Sequence, residues 1–340
     1  MVNQIYQVKP LVHVIEQVES FGISSQQIYE GTELDFRKIK QEFIHIDSED
    51  EFRISRNILK YSNDPLIGLK VGSRIQIESL GILGFATLSA ATRKDALDIF
   101  SEYNELIGSR FNFLQKSSDD ILAIDFYPYS ELPDDLLAHY SNIQMAALAF
   151  SEGKRSDNLK YLKEVRFMHD QSSLKAAYEN FFNCPVSFGH ERNSILFDRA
   201  YGDKPMPRSD VETSRLCQEE CRRAIASMNN RRPLHQKVRD VILQTPGEFP
   251  GIIEISQQLN IPERTLRRKL SKEGTSYQEL LASIRFQLAK EYLKTELPIE
   301  KIANLVGYGE AANFSHAFKR WAGISPRLFR QQYRQNVVDD

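Results

Sequence analysis

Two clusters of hydrogen-bonding side chains near the C-terminal end of this 340-residue chain have the types and spacing to do chemistry on a polyanion. In the first, Arg264, Arg267 and Arg268 fall away from an i, i+4 apolar pair, Leu266 and Leu270, with Lys272 one turn further on. In the second, Phe314 and Phe318 repeat the apolar pair and leave Asn313, His316, Lys319 and Arg320 on the remaining surface. Arginine pairs bidentately with guanine O6 and N7 and also grips phosphate. Asparagine reads adenine, histidine donates to base or phosphate, and Lys319 and Arg320 suit phosphate. A merely solvated helix face would carry the same charges, so the elements that hold these side chains must decide between the two readings.

Those elements repeat. Ile255-Ser256-Gln257-Gln258-Leu259 aligns with Ile302-Ala303-Asn304-Leu305-Val306, and Leu266 and Leu270 with Phe314 and Phe318, at an offset of 47 to 48 residues. Each half predicts a short helix (252–259 and 299–306), a turn, and a second helix (263–272 and 310–321). This is the helix-turn-helix plan, whose second helix enters the major groove. Pro262 stands at the start of the first recognition helix, where a missing N–H costs little, and Gly307 suits a chain reversal. Between the halves, Ser276-Tyr277-Gln278-Glu279 is a capping box opening a helix to about Thr295. Its roughly 20 residues span about 30 Å, close to the ~34 Å between successive major-groove faces.

The stretch resembles the DNA-binding domain of the AraC/XylS family of bacterial transcription regulators. The residues that carry the resemblance are Arg264 to Leu270, Glu273 to Tyr277, Ile302-Ala303, Gly307-Tyr308, and Phe314 to Pro326 with Arg330. His316 stands where the family often has Arg, and Ala312 where it often has Ser or Thr, which implies fewer or different base contacts in the second half.

Charge distribution agrees. Residues 231–340 hold 18 Lys plus Arg against 12 Asp plus Glu, a net of +6, within a chain whose total is −2, so residues 1–230 carry −8. A basic part on an acidic one is the footprint of DNA binding confined to the C-terminal part. No run approaches the ~18 apolar residues of a membrane helix, and the N-terminus lacks the pattern of a signal peptide, so no membrane partner and a cytoplasmic location are expected. Cys184, Cys217 and Cys221 are too few for a disulfide framework and have no spaced His to complete a metal site, so they read as packing residues. Neither a nucleophile elbow nor a His-Glu-x-x-His motif occurs, and His169-Asp170 and His190-Glu191 are neighbours pointing to opposite faces. No catalytic residue, metal or cofactor is expected.

The N-terminal half reads as α+β. Helices are expected around Val12–Glu19, 49–61, 93–109, 134–150 and 172–182, a β-hairpin from Phe111–Leu114 and Ile121–Phe126, and strands at 164–168, 186–188 and 194–197. The glycines of Gly68, Gly72, Gly81 and Gly84 match no phosphate-binding fingerprint and suit close packing or turns. Asp64-Pro65, Gly68-Leu69, Gly72, Gly81 to Gly84, Pro185 to Phe188 and Asn193 to Phe197 also resemble the effector domains of the AraC branch that regulates amino-acid and lipid metabolism and virulence. The expectation is therefore an α+β effector-binding or dimerisation domain (1–208), an exposed turn-rich stretch at 201–207, a helix and interdomain linker (209–233), and an all-α domain with two helix-turn-helix motifs joined by a linker helix (234–340). The resemblance implies double-stranded promoter DNA as partner, with a small-molecule effector, a second copy of the chain and RNA polymerase as further partners. The alternatives are a ligand-independent regulator whose N-terminal domain only dimerises, and an enzyme fused to a DNA-binding domain. Lys9, Arg37 and Lys38 could face an anionic effector, but their spacing does not raise them above surface charge, and no effector site is assigned.

Overall fold

A computed structural model describes residues 6–7, 9–32, 34, 45–46, 48–128, 132–151, 157–231, 233–243 and 247–338. Arg37 and Lys38 lie outside them. The chain forms two compact units, Met1–Ala226 and Ser227–Asp340.

The first unit begins with strand β1 (Tyr6–Gln7) and helices α1 (Lys9–Ser20) and α2 (Ser25–Ile28), and β2 (His45–Ile46) pairs antiparallel with β1. Helices α3 (Ser48–Ser62) and α4 (Ile67–Gly72) follow. The first three helices and α4 close a small core around Ile15, Val18, Ile28, Ile54, Ile58 and Val71. Next come α5 (Ile82–Leu88) and α6 (Arg93–Tyr103), the latter opened by a Thr92–Asp95 capping box.

The principal sheet uses β3 (Phe111–Ser117) and β4 (Ile121–Pro128), then helix α7 (Asp134–Ala149), β5 (Leu162–Arg166), helix α8 (Lys175–Phe182), β6 (Val186–Ser187) and β7 (Asn193–Asp198). Strand order is β3-β4-β7-β5-β6, antiparallel except for β5 with β6. The expected hairpin is present, with Phe113 opposite Phe126. Alternation along β3 sends Phe111 and Phe113 inward and Asn112 and Leu114 outward, and the core they join includes Ile124, Phe126, Met145 and Phe197.

The glycines explain how α4 meets α7. A Cβ built on Gly72 would lie 2.4 Å from the Ile143 carbonyl oxygen, and one on Gly68 2.8 Å from that of His139. Only hydrogen fits there, which bears out a packing role. Residues 201–207 are exposed at Asp203 to Pro205 and Pro207, but Tyr201 is buried in the sheet core and Met206 in the α5–α6 core, and Thr92 bridges Pro205. Helix α9 (Val211–Arg231) fills nearly all of the stretch expected as helix and linker, since nothing between Asn229 and Arg231 breaks a helix before Pro233.

The second unit is all helical: α10 (Leu234–Leu243), α11 (Ile252–Gln258), α12 (Glu263–Lys272), α13 (Tyr277–Leu293), α14 (Ile299–Leu305), α15 (Ala311–Ala322) and α16 (Pro326–Val338). It has two cores. Tyr277, Leu280, Leu281 and Ile284 of α13 serve the first with Leu266 and Leu270, and Ala289 and Leu293 serve the second with Phe314 and Phe318. At 17 residues, α13 spans about 25 Å, somewhat shorter than expected.

Candidate nucleic-acid interface and ligand cavity

Both helix-turn-helix turns use one device. Asn260 (φ 52°) and Gly307 (φ 77°) adopt the left-handed conformation after α11 and α14. The next N–H in each case returns to a carbonyl five residues back, Ile261 to Ser256 at 2.9 Å and Tyr308 to Ala303 at 2.8 Å. These bonds satisfy carbonyls that the helix ends leave open, and they set the exit direction of the chain. Gly274 and Gly323, both at φ 75°, end α12 and α15 alike. Ser276 and Ser325 then cap the following helices, their hydroxyls accepting from the N–H groups of Glu279 and Leu328 at 3.3 Å.

On α12, Leu266 and Leu270 are fully buried. At about 100° per residue, Arg264, Arg268 and Lys272 form an i, i+4, i+8 row on the opposite side, and all three are exposed. Arg267 is exposed on the flank, where its guanidinium donates to Glu263 Oε1 at 2.8 Å. Lys269, which the sequence reading passed over, is exposed on the other flank. On α15, His316 stands opposite buried Phe314 and Phe318, with Arg320 and Asn313 to one side of it and Lys319 to the other, all exposed. The expected residues are thus brought together on the outward faces of two helices.

Polar contacts between elements hold these helices in place. Glu273, at the end of α12, caps α10 by accepting from the N–H groups of Leu234 (2.8 Å) and His235 (2.9 Å). Burial raises the Glu273 pKa, but those two N–H bonds and the His235 ring outweigh it and hold the carboxyl below its ordinary range. Arg285 donates to the Gly307 carbonyl at 3.2 Å and lies over the rings of Phe249 and Tyr308. Arg330 closes the end of α13 by donating to the Leu293 and Leu297 carbonyls at 3.2 and 2.6 Å. Trp321 packs on Phe286 and Tyr308.

The first unit contains a cavity of about 200 Å³, which the sequence reading did not locate. Its walls include Leu97, Phe100, Phe111, Phe113, Ile124 and Phe126. The polar part of the lining includes a linked cluster: Glu51 and Ser55, one turn apart on α3, meet Arg110, which precedes β3, and Tyr140 of α7. Arg110 pairs with Glu51, Tyr140 Oη donates to Glu51 Oε1 at 3.1 Å, and Ser55 Oγ lies 2.9 Å from Tyr140 Oη. Burial, then the charge of Glu51, raises the Tyr140 hydroxyl well above its ordinary pKa. His139, also lining the cavity, is pushed down to about 4 by burial.

The cysteines join cores: Cys184 packs on the sheet core, and Cys221 and Cys217 on the α5–α6 core. Burial pushes the thiols of Cys184 and Cys221 up to about 12 and 11, away from the reactive thiolate. Among the described residues no group of three His, Cys, Asp or Glu could hold a metal, and no helix is long and apolar enough to cross a membrane.

A sheet-and-helix unit with an apolar cavity and a helical unit with paired helix-turn-helix motifs define a two-domain DNA-binding regulator. Residues 22–206 match the arabinose-binding domain of AraC transcription regulators, and residues 255–332 match a helix-turn-helix domain family. The chain belongs to the AraC family of transcription regulators and is a DNA-binding protein. It is 29% identical over 319 residues to an uncharacterized HTH-type transcriptional regulator of Mycobacterium tuberculosis, covering 92% of each. It is 26% identical over 331 residues to the ornithine utilization regulator of Pseudomonas aeruginosa, covering 94% of each. The crystal structure of the transcriptional regulator CdpR from Pseudomonas aeruginosa aligns with 97% of this chain and 99% of its own, at 21% identity and a TM-score of 0.47.

Proposed function

We propose that α12 and α15 read promoter DNA in successive major-groove faces, and that a small molecule held by the N-terminal domain (residues 1–208) modulates that binding. The observation that carries the first part is the exposed Arg264–Arg268–Lys272 row on the second helix of a helix-turn-helix, opposite its buried leucines. Arg268 and Arg264 contact bases and Lys272 phosphate. Arg267 is partly held by Glu263 and contributes less. In the second half, Asn313 and His316 reach bases or phosphate, and Lys319 and Arg320 grip phosphate. The chain works in the cytoplasm as a regulator and not as an enzyme, with a second copy and RNA polymerase as protein partners at the promoter. The cavity supports sensing over a purely dimerising N-terminal domain, because dimerisation needs no space inside the fold. The relative's name raises ornithine as effector, but the apolar walls, with Arg110 already paired to Glu51, disfavour so highly charged a molecule.

Fluorescence anisotropy with promoter DNA across a salt series tests the DNA reading. Arg268→Ala should lose roughly 1–3 kcal/mol for the specific site and relax preference at one base position. Lys319→Ala should weaken all sequences alike and lower the salt slope by about 1. Unchanged binding by both variants would displace the recognition helices from the groove.

A further inference from the structure

We infer that the ligand of the N-terminal cavity is an uncharged, predominantly apolar molecule carrying one hydroxyl group, and not a sugar or an anion. The inference rests on the sensing role proposed above. It starts from charge: every charged group described on the lining is already engaged. Arg110 and Glu51 pair with each other at 4% and 13% side-chain exposure, and the Arg110 guanidinium lies 4.7 Å from the centre of the Phe52 ring. Arg93 lies over Tyr201 at 5.3 Å, and His13 faces Glu16 at 3.4 Å. Burial keeps His139 neutral at pH 7. A charged ligand would add an unbalanced charge beside a neutralised pair in an apolar space.

Proton accounting defines the head group. Tyr140 has one hydroxyl proton and gives it to Glu51, so the 2.9 Å contact with Ser55 is Ser55 donating to the Tyr140 oxygen. The chain Ser55 to Tyr140 to Glu51 thus leaves the oxygen of Ser55, a buried residue, as its open acceptor. One ligand O–H fits it. Of the other lining hydroxyls, Thr87 donates to the Leu83 carbonyl at 2.8 Å and Ser109 to the Phe111 carbonyl at 3.0 Å, while Ser151, Tyr201, Gln76 and Gln144 add only neutral groups. A pentose brings four hydroxyls into walls of Leu, Ile and Phe, and each one left unpaired costs binding. At about 200 Å³ the space exceeds the ~150 Å³ that holds benzene, which suits a medium-chain alcohol or a substituted phenol.

The test is calorimetric titration of the full chain with octan-1-ol, octanoate and L-arabinose, with DNA affinity measured in parallel. Octan-1-ol should bind at least about tenfold tighter than octanoate, and L-arabinose should give no heat. Ser55→Ala should weaken octan-1-ol by roughly three- to tenfold, and Ala147→Phe, which fills the lining, should abolish binding with the melting temperature checked for folding. Octanoate or L-arabinose binding as well as octan-1-ol, or no binding of octan-1-ol, overturns the inference. Octan-1-ol binding with unchanged DNA affinity upholds the ligand chemistry and removes the sensing role. Octanoate or L-arabinose binding that shifts DNA affinity does the reverse.

Discussion

Arg267 and Arg268 are neighbours in the chain with different surroundings, and the spacing of Leu266 and Leu270 was enough to put both on the outer side of α12. The Glu263 partner was also within reach of the sequence, since i, i+4 acid and base side chains meet on a helix. Histidines were harder to read. His169 was seen only as half of an adjacent pair with Asp170, and the pair does diverge, with Asp170 exposed and His169 buried among Phe167, Tyr178 and Phe188. Neither His169 ring nitrogen has a hydrogen-bond partner among the described residues, and burial pushes its pKa down to about 4, as for His139. In the unfolded chain both titrate near 6.5, so below that pH the unfolded state binds more protons. Stability should therefore be level above about pH 6.5 and fall toward pH 4 by roughly 1.4 kcal/mol per unit for each histidine. Urea denaturation at pH 7.5 and 5.5 measures this, and His169→Phe should reduce the difference. An unchanged difference would assign the loss to other groups.

Among the elements, helices and strands with one buried face were legible, because a period of 3.6 or 2 shows in the order of residues. Helix α13 is different: its first half faces one core and its second half another, so only its serine cap marked its start. The repeated turn was read from Gly307 alone, and its counterpart Asn260 was missed because asparagine enters the left-handed region less often than glycine. Exchange at these positions should be unequal. Asn260→Gly should leave stability within about 0.5 kcal/mol. Gly307→Ala should cost more than about 1 kcal/mol, because its φ is 77° and a Cβ would lie 2.5 Å from Phe249 Cδ2. Thermal melts of both variants compare the two directly, and equal losses would contradict the role given to Gly307.

At the scale of the molecule, charge and the repeat revealed a basic helical part and an acidic α+β part, but the cavity had no signature in the sequence. Its polar corner unites Glu51, Ser55, Arg110 and Tyr140, which only folding brings together. Each unit has its own cores, and the sole tryptophan, Trp321, belongs to the second. Denaturant titration should accordingly show two steps in far-UV circular dichroism and only one of them in tryptophan fluorescence. A single coincident transition would mean the units unfold together. The continuous helix α13 between the two helix-turn-helix cores has a kinetic consequence. With α12 and α15 both on the duplex, as proposed, the release of one would leave the other holding it within reach at an effective concentration on the order of millimolar, so that re-engagement would outrun escape. Residence time is then governed by the chance that both grips fail together, and two individually weak grips can make a long-lived complex that competitors dismantle one half at a time.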